Sequence, residues 1–410
     1  MLPSPDQPAP QVDGASRGMT IAQLILSGLG LVVSLLIAAG LLIYGLTGRF
    51  GSAPDLQSAS ATFSLVAIFC FVALLTIPSL IFSYRHLSGK DTSSPPSTTG
   101  HFKLASMALI LWLATLALGN ILSRNDQISW LFLPPLGLLA IALPVWWIFE
   151  LARRGLPAGS QQRGWGLLNF GIFITTPLLM VLEIIVLIGL IAVFAIWASQ
   201  NGAVMQSLQS LSEQIARARG NPEAMLPIVL PYLQNPVTIF GILAVIAGLM
   251  PMLEELFKPL GLWLYAGEPL APAQGFVGGA VSGAAFALVE SLFYLSMPLG
   301  EGWAALAIGR AGTCLLHITT SALVGRAMAE AWSKGAYLRL GATYLLAVAL
   351  HGLWNSVSIL GGVASVLSPA TTGLRFLVLI SQATPYIIII LVALLFALLW
   401  SNQPQPGPEY

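Results

Sequence analysis

The chain has 410 residues, of which 56% are apolar and only 8% charged, and its formal net charge is +1. Soluble domains carry about 25% charged residues, so a water-exposed surface of this size is excluded, as is a disordered or fibrous chain. A net charge so close to zero also gives no field that would attract nucleic acid.

Residues 1–19 are polar and Pro-rich and read as a disordered N-terminus. The apolar run that follows is longer than the roughly 7–15 residues of a signal-peptide core, so no cleavable signal is expected. A membrane-crossing helix needs about 20 mostly apolar residues. Ten stretches qualify, near 20–46, 62–84, 103–122, 129–151, 166–198, 237–257, 275–297, 303–328, 339–361 and 375–400. The expected fold is an all-α polytopic membrane protein of about ten transmembrane helices, with the lipid bilayer as its surroundings. Pro78, Pro251 and Pro385 should kink helices or end turns, and Pro134, Pro135 and Pro144 crowd the fourth span.

Lys and Arg in the loops set the orientation. With the N-terminus in the cytoplasm, 11 of the 17 basic residues fall in inner segments and 5 in outer ones, while Arg310 lies within a span. An even helix count then places both termini in the cytoplasm. Residues 87–102 read as a flexible inner loop and 401–410 as a disordered tail. Residues 20–198 form an N-terminal transmembrane extension of about five helices, and 237–400 a second transmembrane block. The connector 199–236 is extracytoplasmic, with Val204, Leu208, Leu211 and Ile215 at helical spacing, as in an amphipathic surface helix. Cys70 and Cys314 sit inside apolar runs and form no disulfide framework.

An ionised side chain near the bilayer centre costs at least about 2.5–3.5 kcal/mol on the insertion scale. The second block concentrates such groups in Glu254, Glu255, Glu290, Arg310, His317 and His351, whereas Glu183 is alone in the fifth span. Glu254, Glu255 and Lys258 share one turn, Phe286 and Glu290 are four apart, and so are His351 and Asn355. Arg310, Thr313, His317 and Ser321 follow at spacings of three or four. Taken singly, each has an ordinary explanation: a solvated helix end, a packed histidine, an arginine neutralising Glu290. Together, on four consecutive spans, they describe helices lining a polar cavity. Gly275, Gly279 and Gly283, at four-residue intervals, allow a second backbone to approach the seventh span closely.

The ordered set EELFK (Glu254, Glu255, Lys258), FALVE (Phe286, Glu290), the His317 span and HGLWN (His351, Asn355) resembles the PrsW family of intramembrane proteases. That family is similar in turn to the CAAX prenyl-protease and bacteriocin-processing membrane superfamily. The resemblance is clearest over 237–361, and the first five spans have no counterpart in it. Lys258 stands one position before an expected Arg, and Glu290 stands where a His would be; both departures are PrsW features. The resemblance implies a membrane peptidase, commonly a metalloprotease, in the plasma membrane of a prokaryote. It implies a membrane-associated protein substrate, for which an anti-sigma factor is the best-known example.

Peptide hydrolysis needs an activated water, a proton carrier and a stabilised oxyanion. Adjacent residues on a helix point about 100° apart, so only one of Glu254 and Glu255 can face the water directly. The family pattern favours Glu254 as base, with Glu255 orienting or binding Lys258. His317 and His351 have two readings. They hold a zinc ion with Glu290 as third ligand, or there is no metal and one His shares the water while His351 and Asn355 serve the oxyanion. The rivals to a peptidase are a proton-coupled transporter and a non-catalytic scaffold or immunity-type relative. A transporter should show broken helices repeated in both halves; the clustering in one half argues against it. The presence of every motif residue argues against a scaffold.

Overall fold

In the computed structural model the described residues are 16–51, 56–90, 99–156, 159–218, 222–268, 270–297, 302–366 and 375–403. Residues 404–410 of the tail, residues 91–98 of the 87–102 loop and residues 1–15, all expected to be disordered or flexible, lie outside them. Among the described residues the chain is helical, without a strand: α1 (Arg17–Phe50), α2 (Leu56–Leu87), α3 (Thr99–Leu122), α4 (Asp126–Ala152), α5 (Gln161–Phe170), α6 (Thr176–Ser199), α7 (Gly202–Ala218), α8 (Pro222–Leu233), α9 (Pro236–Leu243), α10 (Met250–Phe257), α11 (Leu260–Trp263), α12 (Pro272–Leu295), α13 (Trp303–Lys334), α14 (Tyr337–Val366) and α15 (Arg375–Ser401).

Nine helical stretches among the described residues are long and apolar enough to cross a membrane. The eighth stretch expected from sequence is present as the 32-residue α13 but is not one of the nine. Arg310, His317, Thr319, Thr320 and Arg326 depress its hydropathy, while its length exceeds the roughly 20 residues a span requires. Prolines 78, 134, 135, 144 and 385 all remain inside helices. The outward face of α6, with Ile184, Ile185, Ile188 and Ile191 each more than half exposed, suits lipid rather than water. The connector forms two helices, α7 and α8, rather than one.

Two long helices pass through a π-helical turn, Gly171–Thr175 between α5 and α6, and Ala244–Leu249 between α9 and α10. Each turn is followed by one residue and then a proline, Pro177 and Pro251. Proline has no N–H and its ring crowds the carbonyl four residues back. Widening the preceding turn relieves that crowding, which accounts for the π geometry at both places.

The chain divides into two compact units. The first comprises 1–176, 258–344 and 395–410. Its core helix is α12, 83% buried over its most apolar window, whereas no other candidate span exceeds 44%. Helix α12 packs along α13 because a Cβ on Gly283 would meet the backbone of His317 and Ile318, and one on Gly279 that of Ser321 and Ala322. Any side chain there would force the helices apart. The hairpin α1–α2 is tied to α5 by neutral polar groups. Gln23 donates to Ser79 Oγ (3.0 Å) and the Gln162 carbonyl (3.1 Å), and Asn169 donates to Ser27 Oγ (2.8 Å). The second unit comprises 177–257 and 345–394. Ile239 and Ala364 form a small core there with Leu230, Leu243, Leu360, Val363 and Ile380 around them.

Candidate active site

The polar motif residues fall into both units, and each unit builds its own cluster. In the first, Lys258 follows directly on α10 and is 1% exposed. Its Nζ lies 2.7 Å from His317 Nδ1 and sits over the Phe286 ring at 4.9 Å. The Phe286 ring meets the His317 imidazole edge to face, with centroids 5.0 Å apart. His317, fully buried on α13, reaches Glu290 Oε2 on α12 with Nε2 at 2.9 Å. Arg310, two turns earlier on α13, pairs with the same carboxylate oxygen. Its Nε donates to Ser291 Oγ (3.1 Å), and its guanidinium lies 4.7 Å over the Tyr294 ring.

The protonation pattern follows from donor inventory. An ammonium only donates and an ionised carboxylate only accepts. Lys258 therefore donates to Nδ1 of a neutral His317, whose Nε2–H donates to Glu290. Both imidazole nitrogens are engaged, and Arg310 supplies the charge that lets Glu290 stay ionised in a helix bundle. The four-residue spacing of Phe286 and Glu290 puts both on the α13-facing side of α12, where the glycine contacts hold the two helices close. Thr313, on the same stripe as Arg310 and His317, turns its hydroxyl back to the Gly309 carbonyl of its own helix (3.2 Å).

In the second unit, Glu254, Glu255 and His351 are all buried. Glu255 Oε1 lies 2.8 Å from His351 Nδ1, and Glu254 Oε2 lies 3.9 Å from His351 Nε2. With Glu255 ionised, Nδ1–H donates to it, and Nε2 lies on the Glu254 side of the ring. A carboxylate oxygen and an imidazole nitrogen at 3.9 Å are too far apart for a hydrogen bond. The spacing is of the order that two donors keep around one ion with bonds of about 2.0–2.2 Å. A histidine fixed by a carboxylate on its other nitrogen is the arrangement in which imidazoles commonly serve metals. Glu254 and His351, a buried carboxylate and a buried imidazole of the second unit, are compatible with a metal. His317, in the first unit, has Lys258 and Glu290 at its two nitrogens.

Asn355, one turn beyond His351 on α14, donates its amide to the Ile246 carbonyl within the π turn (2.9 Å). Gly352 lies against the Ala247 carbonyl of the same turn, where a Cβ would collide with it. Glu183, on α6, is only partly buried. Sequence reading passed over Ser291 and Tyr294, which hold Arg310, and assigned no role to Gly352. Ser291 was discoverable as the neighbour of Glu290 with a hydroxyl inside an apolar span; Gly352 stood inside the HGLWN motif.

Compared with known proteins, residues 168–397 match the family model described as PrsW family intramembrane metalloprotease. Neither curated proteins nor solved structures provide a match.

Proposed function

The chain belongs to the PrsW family of intramembrane metalloproteases and is an integral, multi-pass membrane protein; on that premise we propose that it hydrolyses peptide bonds of a membrane-associated protein, with Glu254 as the base that activates water. The observation that carries this reading is the Glu254–His351–Glu255 arrangement, one imidazole held between two buried carboxylates. Glu255 holds the ring and its tautomer. Glu254 lies on the other side, able to take a proton from water and return it to the leaving amine. The ordered motifs, rather than any distance, assign His317 to the same reaction. Lys258, Glu290 and Arg310 then keep its imidazole neutral and fixed, and Phe286 walls it from lipid.

Within the second unit, His351 and one oxygen of Glu254 would hold a zinc ion, leaving the other Glu254 oxygen to act as the base. A bound metal would acidify a water and polarise the scissile carbonyl. A single-span anti-sigma factor is one substrate of the required class.

The test is to reconstitute the chain in lipid vesicles with membrane proteins extracted from its host and to map new protein N-termini by mass spectrometry. Wild type should generate a defined set of termini that Glu254→Gln, His317→Ala and His351→Ala each lack while still inserting. Unchanged termini with all three variants would overturn the assignment.

A further inference from the structure

The π turn ahead of the two glutamates has a cause and a clamp, both within the second unit. Met250 N–H reaches the Val245 carbonyl, five residues back. The next N–H in that pattern would come from residue 251 and reach Ile246, but residue 251 is proline and has none. The Ile246 carbonyl receives the Asn355 amide instead, at 2.9 Å. In a bilayer a backbone carbonyl deprived of its helical donor must find another inside the protein. Gly352, one turn before Asn355, lets the adjacent Ala247 carbonyl come against α14.

A π turn holds one residue more than the α turn it replaces, so its presence sets the rotation of everything downstream by about 100°. That is the angle between adjacent side chains. If the turn reverted to α geometry by sliding one residue, the position that Glu255 occupies against His351 Nδ1 would pass to Glu254. The position of Glu254 would pass to Leu253, which is apolar. The motif therefore specifies two adjacent carboxylates, and the π turn specifies which of them meets which nitrogen of His351.

We propose that Asn355 is a positioning residue whose amide replaces the missing N–H of Pro251, and that this clamp fixes the rotation of α10 which sets Glu255 on Nδ1 and Glu254 on Nε2 of His351. The inference builds on the peptidase reading but makes a claim about helix register that stands or falls without it.

The register is tested in native membranes with Cys70→Ala and Cys314→Ala as background, using a short bifunctional thiol reagent on paired cysteines. Glu255→Cys with His351→Cys should cross-link efficiently, and Leu253→Cys with His351→Cys poorly. Adding Asn355→Ala should reduce the ratio of the first product to the second by roughly 2- to 10-fold, the range for losing a hydrogen bond. In a Pro251→Ala background, where residue 251 supplies its own N–H to Ile246, adding Asn355→Ala should leave the ratio unchanged. The same dependence on Pro251 is expected in the cleavage assay on otherwise wild-type chains. If Asn355 acted on the substrate oxyanion, Asn355→Ala would leave the cross-link ratio unchanged with Pro251 present and would still abolish cleavage without it; either result overturns the proposal. Should Asn355→Ala fail to accumulate, Asn355→Asp, which loses the donor but keeps the shape, is read in the same way. The expected cross-linking without cleavage by the wild type would refute the peptidase and leave the clamp standing.

Discussion

Glu255 and His351 are 96 residues apart in the chain and share a 2.8 Å hydrogen bond, Glu255 Oε1 to His351 Nδ1. The two adjacent glutamates of the motif are thereby unequal. One bonds the ring at Nδ1, and the other lies 3.9 Å from Nε2.

That inequality predicts an order of severity. Glu255→Gln keeps an oxygen that accepts from Nδ1–H, and should slow cleavage by roughly 10- to 100-fold, the usual effect of altering a group that orients a ligand. Glu254→Gln removes the base and should abolish turnover. Rates of product formation by the two reconstituted variants decide the matter; the reverse order would exchange the roles of the two residues.

Metal content gives a second expectation. Elemental analysis of the detergent-purified chain, after zinc supplementation, should find about one zinc per chain. His351→Ala should lose it. Full retention by that variant would remove His351 from the ligand set.

Arg310 should matter through stability. Arg310→Ala leaves the Glu290 carboxylate without the guanidinium that neutralises it. Breaking a fully buried pair on one side costs about 3–5 kcal/mol, and less is expected here because the Arg310 and Glu290 side chains are 11% and 25% exposed. Replacing both partners, Arg310→Met with Glu290→Gln, should recover most of the loss in a thermal melt. A double variant no more stable than Arg310→Ala would show that the pair is not the source.

The α12–α13 contact predicts a site-specific intolerance of side chains. Gly283→Val must push α13 away at His317 and should cost about 1–3 kcal/mol or more. Gly341→Ala, at a helical glycine with open space around its α-carbon, should instead be neutral or stabilising by up to about 1 kcal/mol. Equal melting temperatures for the two variants would refute the close-packing argument.

The membrane class, the helical stretches and the ionisable side chains within them were legible in the residues themselves. Composition excludes water as the surrounding solvent, runs of about 20 apolar residues mark the spans, and ionisable groups in such runs are too costly to be there without reason. The run 303–328 was counted among the spans, yet hydropathy alone leaves α13 outside the nine, because Arg310 and His317 lower it although both have partners inside the protein. Polarity measured along a chain is blind to partners.

Spacing of three and four residues correctly placed Phe286 with Glu290, and Arg310 with His317, on common faces, since helical periodicity is local. It contained nothing of which nitrogen of His351 each of Glu254 and Glu255 faces. That depends on the rotation of α10, which follows the π turn at Ala244–Leu249, where the Ile246 carbonyl receives the Asn355 amide. Nor did it contain the seam of Gln23, Ser79, Ser27 and Asn169, whose neutral side chains carry no charge to draw notice. The sequence by itself determined which groups are buried in the bilayer and on which helix each stands, because hydrophobicity and periodicity act residue by residue. Only the tertiary structure decided which nitrogen meets which carboxylate, because that follows from helix rotation and close approach, to which residues a hundred positions apart contribute.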